Sequence, residues 1–182
     1  MISSKTLTRV ALFVALCIVA AATFRFSSSI IPFSLVPFVV FLAGFLLRPQ
    51  EAFLSMLLYV LLGLLGLPVF ATPPFGGPAY IFRPTFGFLL GFILSAPTIA
   101  FLQKRKRKFE KAILGIFAGL GLLYLLGILY FHLAMNLFLG RPTNFGDTLK
   151  MAFLPFIGPD IAKAFCALLL AREVLPRLGR RA

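Results

Sequence analysis

Residues 154–164 read LPFIGPDIAKA and place an acid and a base three residues apart inside a long apolar run. On a helix, this spacing puts Asp160 and Lys163 on one face. In a bilayer each charge costs roughly 2.5–3.5 kcal/mol to insert, so such charges usually line a binding site or a proton path, or form an ion pair. Gly158-Pro159 predicts a kink or break, which would leave Asp160 near the start of a half-helix. Alternatively, Asp160 only caps the broken helix and Lys163 neutralises it.

The composition around this segment is that of an integral membrane protein. Of the 182 residues, 60% are hydrophobic and only 13% are charged, and the mean hydropathy is +1.02. A soluble domain of this size needs a much more polar surface. The length allows about six helices of roughly 20 residues joined by short loops. No room then remains for a soluble catalytic domain.

Six apolar runs predict a single all-α domain with six transmembrane helices. They cover residues 7–24, 33–47, 52–70, 84–102, 112–138 and 151–171. The first run could instead be a signal peptide, because Ala20-Ala21-Ala22 offers small residues for cleavage. Pro37 interrupts the second run, a loop rich in Pro and Gly (71–83) follows the third, and a polar link (140–150) precedes the sixth.

The net charge of +13 comes from basic residues that flank the apolar runs, so it indicates membrane topology rather than nucleic-acid binding. If the six runs alternate in direction, 13 of the 18 Lys and Arg fall on one side and four on the other. The larger group comprises Lys5, Arg9, Arg48, the cluster 104–108, Lys111, Arg172, Arg177, Arg180 and Arg181; the smaller comprises Arg25, Arg83, Arg141 and Lys150. Both termini are therefore expected to face the cytoplasm.

Few residues offer other chemistry. Cys17 and Cys166 both lie in apolar runs without a CxxC pattern, and His132 is the single histidine, so the sequence predicts no metal site. The phosphate-binding pattern GxxxxGK[ST] is absent, so this chain cannot hydrolyse ATP. Any energy for active transport must come from partner subunits.

An ordered set of motifs runs along most of the chain. It consists of Leu42-Ala43-Gly44, Leu58-Tyr59 leading to Gly63, Gly66-Leu67-Pro68-Val69-Phe70-Ala71, Gly76-Gly77, the segment 84–92 (PTFGFLLGF), Tyr124-Leu125-Leu126-Gly127, Pro155-Phe156 and the segment 160–164 (DIAKA). Together these resemble the BioY family, the biotin-specific S components (substrate-capture subunits) of energy-coupling factor (ECF) transporters. The chain departs from the family pattern at Val36, where the family usually has Gln, at Arg83, where it usually has Gly, and at Gly158-Pro159, where it usually has Pro-Gly.

The resemblance implies the helix bundle of an ECF S component in the cell membrane and a role as the binding subunit for high-affinity biotin uptake. It also implies two ATPase subunits, which alone would use ATP, and a transmembrane coupling subunit docked through Ala11 and Ala15. These alanines form a small-xxx-small pair of the kind that lets helices approach closely. No cofactor of the chain's own is implied.

Biotin has a cyclic urea, apolar fused rings and a carboxylate, so a pocket needs an acceptor, apolar walls and a cation or N–H groups. Asp160 is the natural acceptor for the urea N–H groups. Lys163 would either meet the carboxylate or hold Asp160 in place. Arg83 is a second candidate for the carboxylate, or else an anchor at the membrane interface.

Four further residues are candidate ligand contacts. Thr85 and Gly87 lie at the start of the fourth run, where a hydroxyl and free N–H groups could serve the ligand, although Thr85 could be an ordinary N-cap. Tyr124 and Phe70 could supply ring walls or only pack in the bundle.

Three other functions stay open at this point. Val36 and Arg83 leave room for a transporter subunit with a different small, vitamin-like ligand. An intramembrane enzyme using Asp160 and Lys163 would lack a second acid, a His pair or a Ser-His arrangement. A membrane scaffold is the remaining alternative.

Overall fold

A computed structural model describes residues 3–23, 34–103 and 109–177, and every regular element in these ranges is a helix. The α-helices are α1 (Ser4–Ala22), α2 (Val36–Leu46), α3 (Pro49–Leu64), α4 (Phe86–Gln103), α5 (Phe109–Leu133), α6 (Phe145–Ala152) and α7 (Leu154–Arg177). A 3₁₀ helix (Pro78–Phe82) precedes α4, and a π-helical turn (Ala134–Phe138) extends α5. The all-helical expectation is therefore confirmed for these residues. The positions of Arg25, the basic cluster 104–108, Arg180 and Arg181 lie outside them.

Among the described residues, four helices are long and apolar enough to cross a membrane by length and composition. They are α1, α4, Phe109–Phe138 and α7. The helices α2 and α3 are apolar but shorter, with 11 and 16 residues. Each of the six apolar runs thus contains a helix, but the helices differ considerably in length.

Prolines begin helices here more than they interrupt them. Pro37 lies in the first turn of α2, where the missing N–H would have had no helical partner, so the expected interruption does not occur. The third run is shorter than expected, because α3 ends at Leu64 and Gly66 follows with φ +104°.

The expected break at Pro159 is wrong. The helix α7 begins at Leu154 and continues through Pro159 to Arg177, so Asp160 lies inside it rather than at the start of a half-helix. Near the N-terminus Pro159 removes only the bond to one carbonyl, that of Pro155, and the turn is already established by N–H groups bonded to the Phe153 carbonyl.

The polar link before the sixth run is partly helical, which also differs from the expectation. The helix α6 covers Phe145–Ala152, and the Asn144 side chain caps it by accepting the Asp147 N–H at 2.8 Å. Met151 and Ala152, expected in the sixth run, belong to α6 instead.

The central helix of the bundle is α2, since ten of its 11 residues are buried. It packs against α7 and α4, and α4 in turn packs closely along α5. Glycine permits this close approach: a Cβ atom at Gly91 would come within 2.9 Å of Leu123 Cα. The Ser95 hydroxyl donates to the Gly119 carbonyl across the same contact at 2.7 Å. These two helices therefore form a closely packed pair in the bundle.

The first helix has one buried and one exposed face. Residues such as Val10 and Phe13 pack inward, whereas Ala11 and Ala15 are exposed. A buried carboxylate holds this arrangement: Glu51, 2% exposed at the start of α3, accepts a hydrogen bond from Arg9 Nη1 at 3.3 Å and from the Arg48 N–H at 3.0 Å. The ion pair fixes α1 against α3.

Candidate ligand-binding site

A cavity opens between α2, α3, α4, α5, α7 and the loop that follows α3. It has a volume of about 80 Å³. Of the residues predicted as ligand contacts, four line it: Thr85, Tyr124, Asp160 and Lys163. The prediction that Asp160 and Lys163 lie on one face of the helix is therefore confirmed.

The polar centre of the cavity is a buried carboxylate with two side-chain donors. Lys163 Nζ donates to Asp160 Oδ1 at 2.8 Å, and the Tyr124 hydroxyl donates to Asp160 Oδ2 at 2.7 Å. Asp160 is 5% exposed and Lys163 8% exposed. The pairing offsets the cost of burying both charges. Each carboxylate oxygen keeps further acceptor capacity, so Asp160 can still accept N–H groups from a ligand.

A second polar part of the cavity consists of three hydroxyl groups. The Tyr80 hydroxyl lies 2.5 Å from Thr72 Oγ1 and 3.2 Å from Thr85 Oγ1, and all three residues line the cavity. Tyr80 is 3% exposed, and this burial raises the pKa of its phenol, against the opposing effects of the two threonine hydroxyls and of Arg83. The phenol therefore stays protonated and can donate.

Aromatic packing holds the Tyr80 side chain in position. The Phe70 ring lies 4.3 Å from the ring of Tyr80 and 5.7 Å from that of Tyr59, centroid to centroid. Phe70 is fully buried behind Tyr59 and Tyr80, and it is these two, not Phe70, that line the cavity. Phe70 therefore does not form a wall of the cavity. It packs behind the two residues that do.

Two other predicted residues also lie away from the cavity. Gly87 is buried where α4 meets α5, and a Cβ atom there would come within 2.7 Å of the Leu126 carbonyl, so Gly87 serves helix packing. Arg83 is exposed and does not line the cavity, although its charge acts on Tyr80. Thr85 directly precedes α4, and its hydroxyl contacts Tyr80.

Sequence reasoning missed most of the apolar lining. Phe88, Phe92 and Phe156 face the cavity, as does Val36, which the sequence had singled out only as a departure from the family pattern. The Phe88 ring lies edge-on to Tyr124 at 6.1 Å. With 23 phenylalanines in the chain, the sequence contains no signal that separates cavity rings from packing rings.

The site combines one carboxylate with free acceptor capacity, a hydroxyl cluster and aromatic walls. Such a cavity suits a small, partly apolar molecule that carries N–H donors at one position and an acceptor group at another. Within the described ranges no group of three or more His, Cys, Asp or Glu residues could hold a metal ion.

The sequence matches the model of the family described as "BioY family" over residues 1–180. Similar proteins include a probable biotin transporter BioY from Pyrococcus horikoshii, 38% identical over 173 residues, which covers 94% of this chain and 96% of that protein. A probable biotin transporter BioY from Lysinibacillus sphaericus is 34% identical over 174 residues, covering 94% and 87%. The biotin transporter BioY of Thermotoga maritima is 34% identical over 167 residues, covering 92% and 94%.

The fold also matches a solved structure. The crystal structure of the S-component for biotin from an ECF-type ABC transporter superposes with a TM-score of 0.74 at 24% identity, covering 93% of this chain and 90% of that one. The two chains therefore share a fold.

Proposed function

The chain belongs to the BioY family, and on this basis we propose that it is the substrate-binding membrane subunit of a biotin uptake system. It is a transport protein and not an enzyme. The observation that carries the proposal is the buried Asp160 carboxylate, which lines a mainly apolar cavity and keeps acceptor capacity beyond its bonds to Tyr124 and Lys163. A cyclic urea offers the N–H donors that such an acceptor requires.

The ligand assignment follows from the chemistry of the walls. Asp160 accepts the urea N–H groups, with Lys163 and Tyr124 holding the carboxylate in place. The fused rings pack against the aromatic lining. The carboxylate tail meets the Tyr80 and Thr85 hydroxyls, which can donate to it.

Arg83 acts on the approach of the ligand rather than in its bound state. Its guanidinium is exposed beside the hydroxyl cluster, where a positive charge raises the local concentration of an anionic ligand. Phe70 and Gly87 support the site through packing.

The chain lies in the cell membrane with α1–α5 and α7 crossing it and with both termini in the cytoplasm. The support is the distribution of 13 cationic residues against four on alternate sides. The contact of the Arg172 guanidinium with the Phe109 ring, 4.8 Å to the centroid, is consistent with this, because it brings the C-terminal part of α7 to the start of α5.

Energy comes from partners, namely two ATPase subunits and a transmembrane coupling subunit. Ala11 and Ala15 lie exposed on α1, opposite its buried face, as a docking surface for a closely packed helix requires. ATP is used only by the ATPase subunits.

A different small ligand is the second candidate. Val36 lines the cavity, so a methyl-bearing side chain stands where the family pattern has an amide. A ligand with less polar surface at that position would fit the same walls.

Binding of radiolabelled biotin to the purified protein tests the proposal. We expect saturable binding with one ligand per chain, displaced by unlabelled biotin and not by thiamine, a vitamin without a cyclic urea. Equal displacement by both, or the absence of saturable binding, would point to the second candidate.

A further inference from the structure

A second cavity lies at the opposite end of the bundle from the candidate site. It has a volume of about 250 Å³ and opens between α2, α4, α5 and α7. The end of α4 and the C-terminal turns of α7 border it, whereas the start of α4 and the start of α7 border the ligand-binding cavity. Phe45, Leu168 and Leu175 give it apolar walls.

Two hydrogen-bond donors line this cavity without an acceptor among the described residues, namely the buried amide of Gln103 and the exposed side chain of Arg172. Gln103 Nε2 is buried and has no hydrogen-bond partner among the residues that the structure describes. A buried unpaired donor is costly, and native structures keep few of them. Arg172 lies over the Phe109 ring, and within the described ranges its guanidinium forms no ion pair.

The two donors belong to different helices and face one space. A guanidinium and an amide N–H₂ group together suit an oxyanion, and Arg favours phosphate oxygens in particular. Apolar walls next to such donors suit a hydrocarbon chain attached to that anion. A free inorganic anion would leave the apolar walls without a partner.

We propose that this cavity binds the phosphate of an anionic phospholipid, with Gln103 and Arg172 as donors and one acyl chain along Phe45 and Leu168. The position agrees, because the surplus of basic residues predicts this end of the bundle at the cytoplasmic leaflet. That leaflet carries the anionic lipids, and basic pockets between transmembrane helices on this side bind their head groups. The site is separate from the biotin cavity.

Thermal unfolding in detergent tests the inference, since a ligand that binds only the folded state raises Tm. Three additions are compared: phosphatidylglycerol, phosphatidylcholine and inorganic phosphate. We expect phosphatidylglycerol to raise Tm most and inorganic phosphate to leave it unchanged. An equal effect of the two lipids would overturn the preference for an anionic head group, and an effect of phosphate alone would identify a free-anion site instead.

Variants assign the effect to the cavity. Arg172→Gln should lower the apparent affinity for phosphatidylglycerol about tenfold, because a charge-assisted bond is lost. Arg177→Gln is the matched control, since Arg177 is exposed near the end of the same helix and does not line the cavity. Equal responses of the two variants would overturn the proposal.

Gln103→Met separates a lipid site from an empty space. In detergent without lipid, the Tm of this variant should equal or exceed that of the parent, because an unpaired buried amide is replaced by an apolar side chain of similar length. The rise in Tm with phosphatidylglycerol should nevertheless be smaller than that of the parent. An undiminished rise would mean that Gln103 makes no contact with lipid and would overturn its role as a donor.

Discussion

At Asp160, replacement by asparagine separates charge from shape. The variant keeps the side-chain outline but offers a neutral oxygen, and a hydrogen bond to a charged group is worth about 1.5–3 kcal/mol against about 1 kcal/mol for a neutral one. We expect biotin affinity to fall about tenfold or more. Isothermal titration measures it, with Asp147→Asn, at a half-exposed position of α6 that does not line the cavity, as the control that leaves affinity unchanged. If Asp160→Asn binds biotin with the affinity of the parent, Asp160 has only a structural role.

Removal of the cation should affect stability more than removal of the acid. In Lys163→Met the Asp160 carboxylate remains buried without its 2.8 Å partner, a change that typically costs several kcal/mol. We expect a lower Tm than that of Asp160→Asn together with weaker biotin binding. A Tm equal to that of the parent would show that the buried carboxylate is stabilised without Lys163, for example by the bond from Tyr124.

Removal of the Tyr80 hydroxyl tests the proposed position of the biotin carboxylate in the cavity. Tyr80→Phe keeps the ring against Phe70 and removes only the donor. We expect biotin affinity to fall several-fold, while affinity for the methyl ester of biotin changes less, because the ester has lost the charge that the hydroxyl recognises. An equal loss for both ligands would move the carboxylate elsewhere in the cavity.

The sequence predicted the acid–base pair well and the hydroxyl cluster not at all. Asp160 and Lys163 are three residues apart, so local helix geometry alone places them together. Thr72, Tyr80 and Thr85 meet only because the loop after α3 folds back on itself, with the Gly77 N–H bonded to the Gly63 carbonyl at 2.7 Å. No periodic pattern encodes such a contact.

At the scale of elements, substitutions on the exposed face of α1 test the proposed contact with the partner subunits. Replacing Ala11 and Ala15 by leucine fills an exposed face without touching the cavity. We expect uptake in cells that contain the coupling and ATPase subunits to fall strongly, because close helix approach needs small side chains. Biotin binding by the isolated variant should stay unchanged; its loss would mean that the alanines serve the internal packing of the chain.

The replacement Leu12→Ala is the matched control for this pair. Leu12 is also exposed on α1, and its truncation adds no bulk. Uptake should therefore stay near the parent level. A loss as large as that of the double leucine variant would indicate general disruption of α1 rather than a steric block at the two alanines.

The existence of the helices could be predicted, but some of their ends could not. Apolar runs identify helices because burial and membrane insertion both select long apolar segments. The boundary predicted at Pro159 was wrong, because a proline near the start of a helix removes only one backbone hydrogen bond and need not end the helix. Likewise α6 was missed because its polar sequence resembles a loop until the Asn144 cap is recognised.

For the whole molecule, topology is the property that the charge distribution predicts. Reporter fusions at Ala182 and near Asn144 should give opposite readings, with the C-terminal reporter in the cytoplasm. The reason is the surplus of basic residues on one side of the six runs. A fusion near Lys111 supplies the control and should match the one at Ala182. Equal readings at Ala182 and Asn144 would contradict six crossings.

The short α3 has a consequence for the surrounding lipid. Its 16 residues measure about 24 Å at 1.5 Å per residue, below the roughly 30 Å of a typical hydrocarbon core. Phe53, Leu58 and Leu61 are exposed on this helix, so the proposed crossing would bring lipid against them. If α3 crosses the membrane as proposed, we expect the bilayer to thin beside it, at a cost of fractions of a kcal/mol per Å of hydrophobic mismatch. Under this proposal the protein should be more stable in thinner bilayers than in thicker ones, whether or not a ligand is bound.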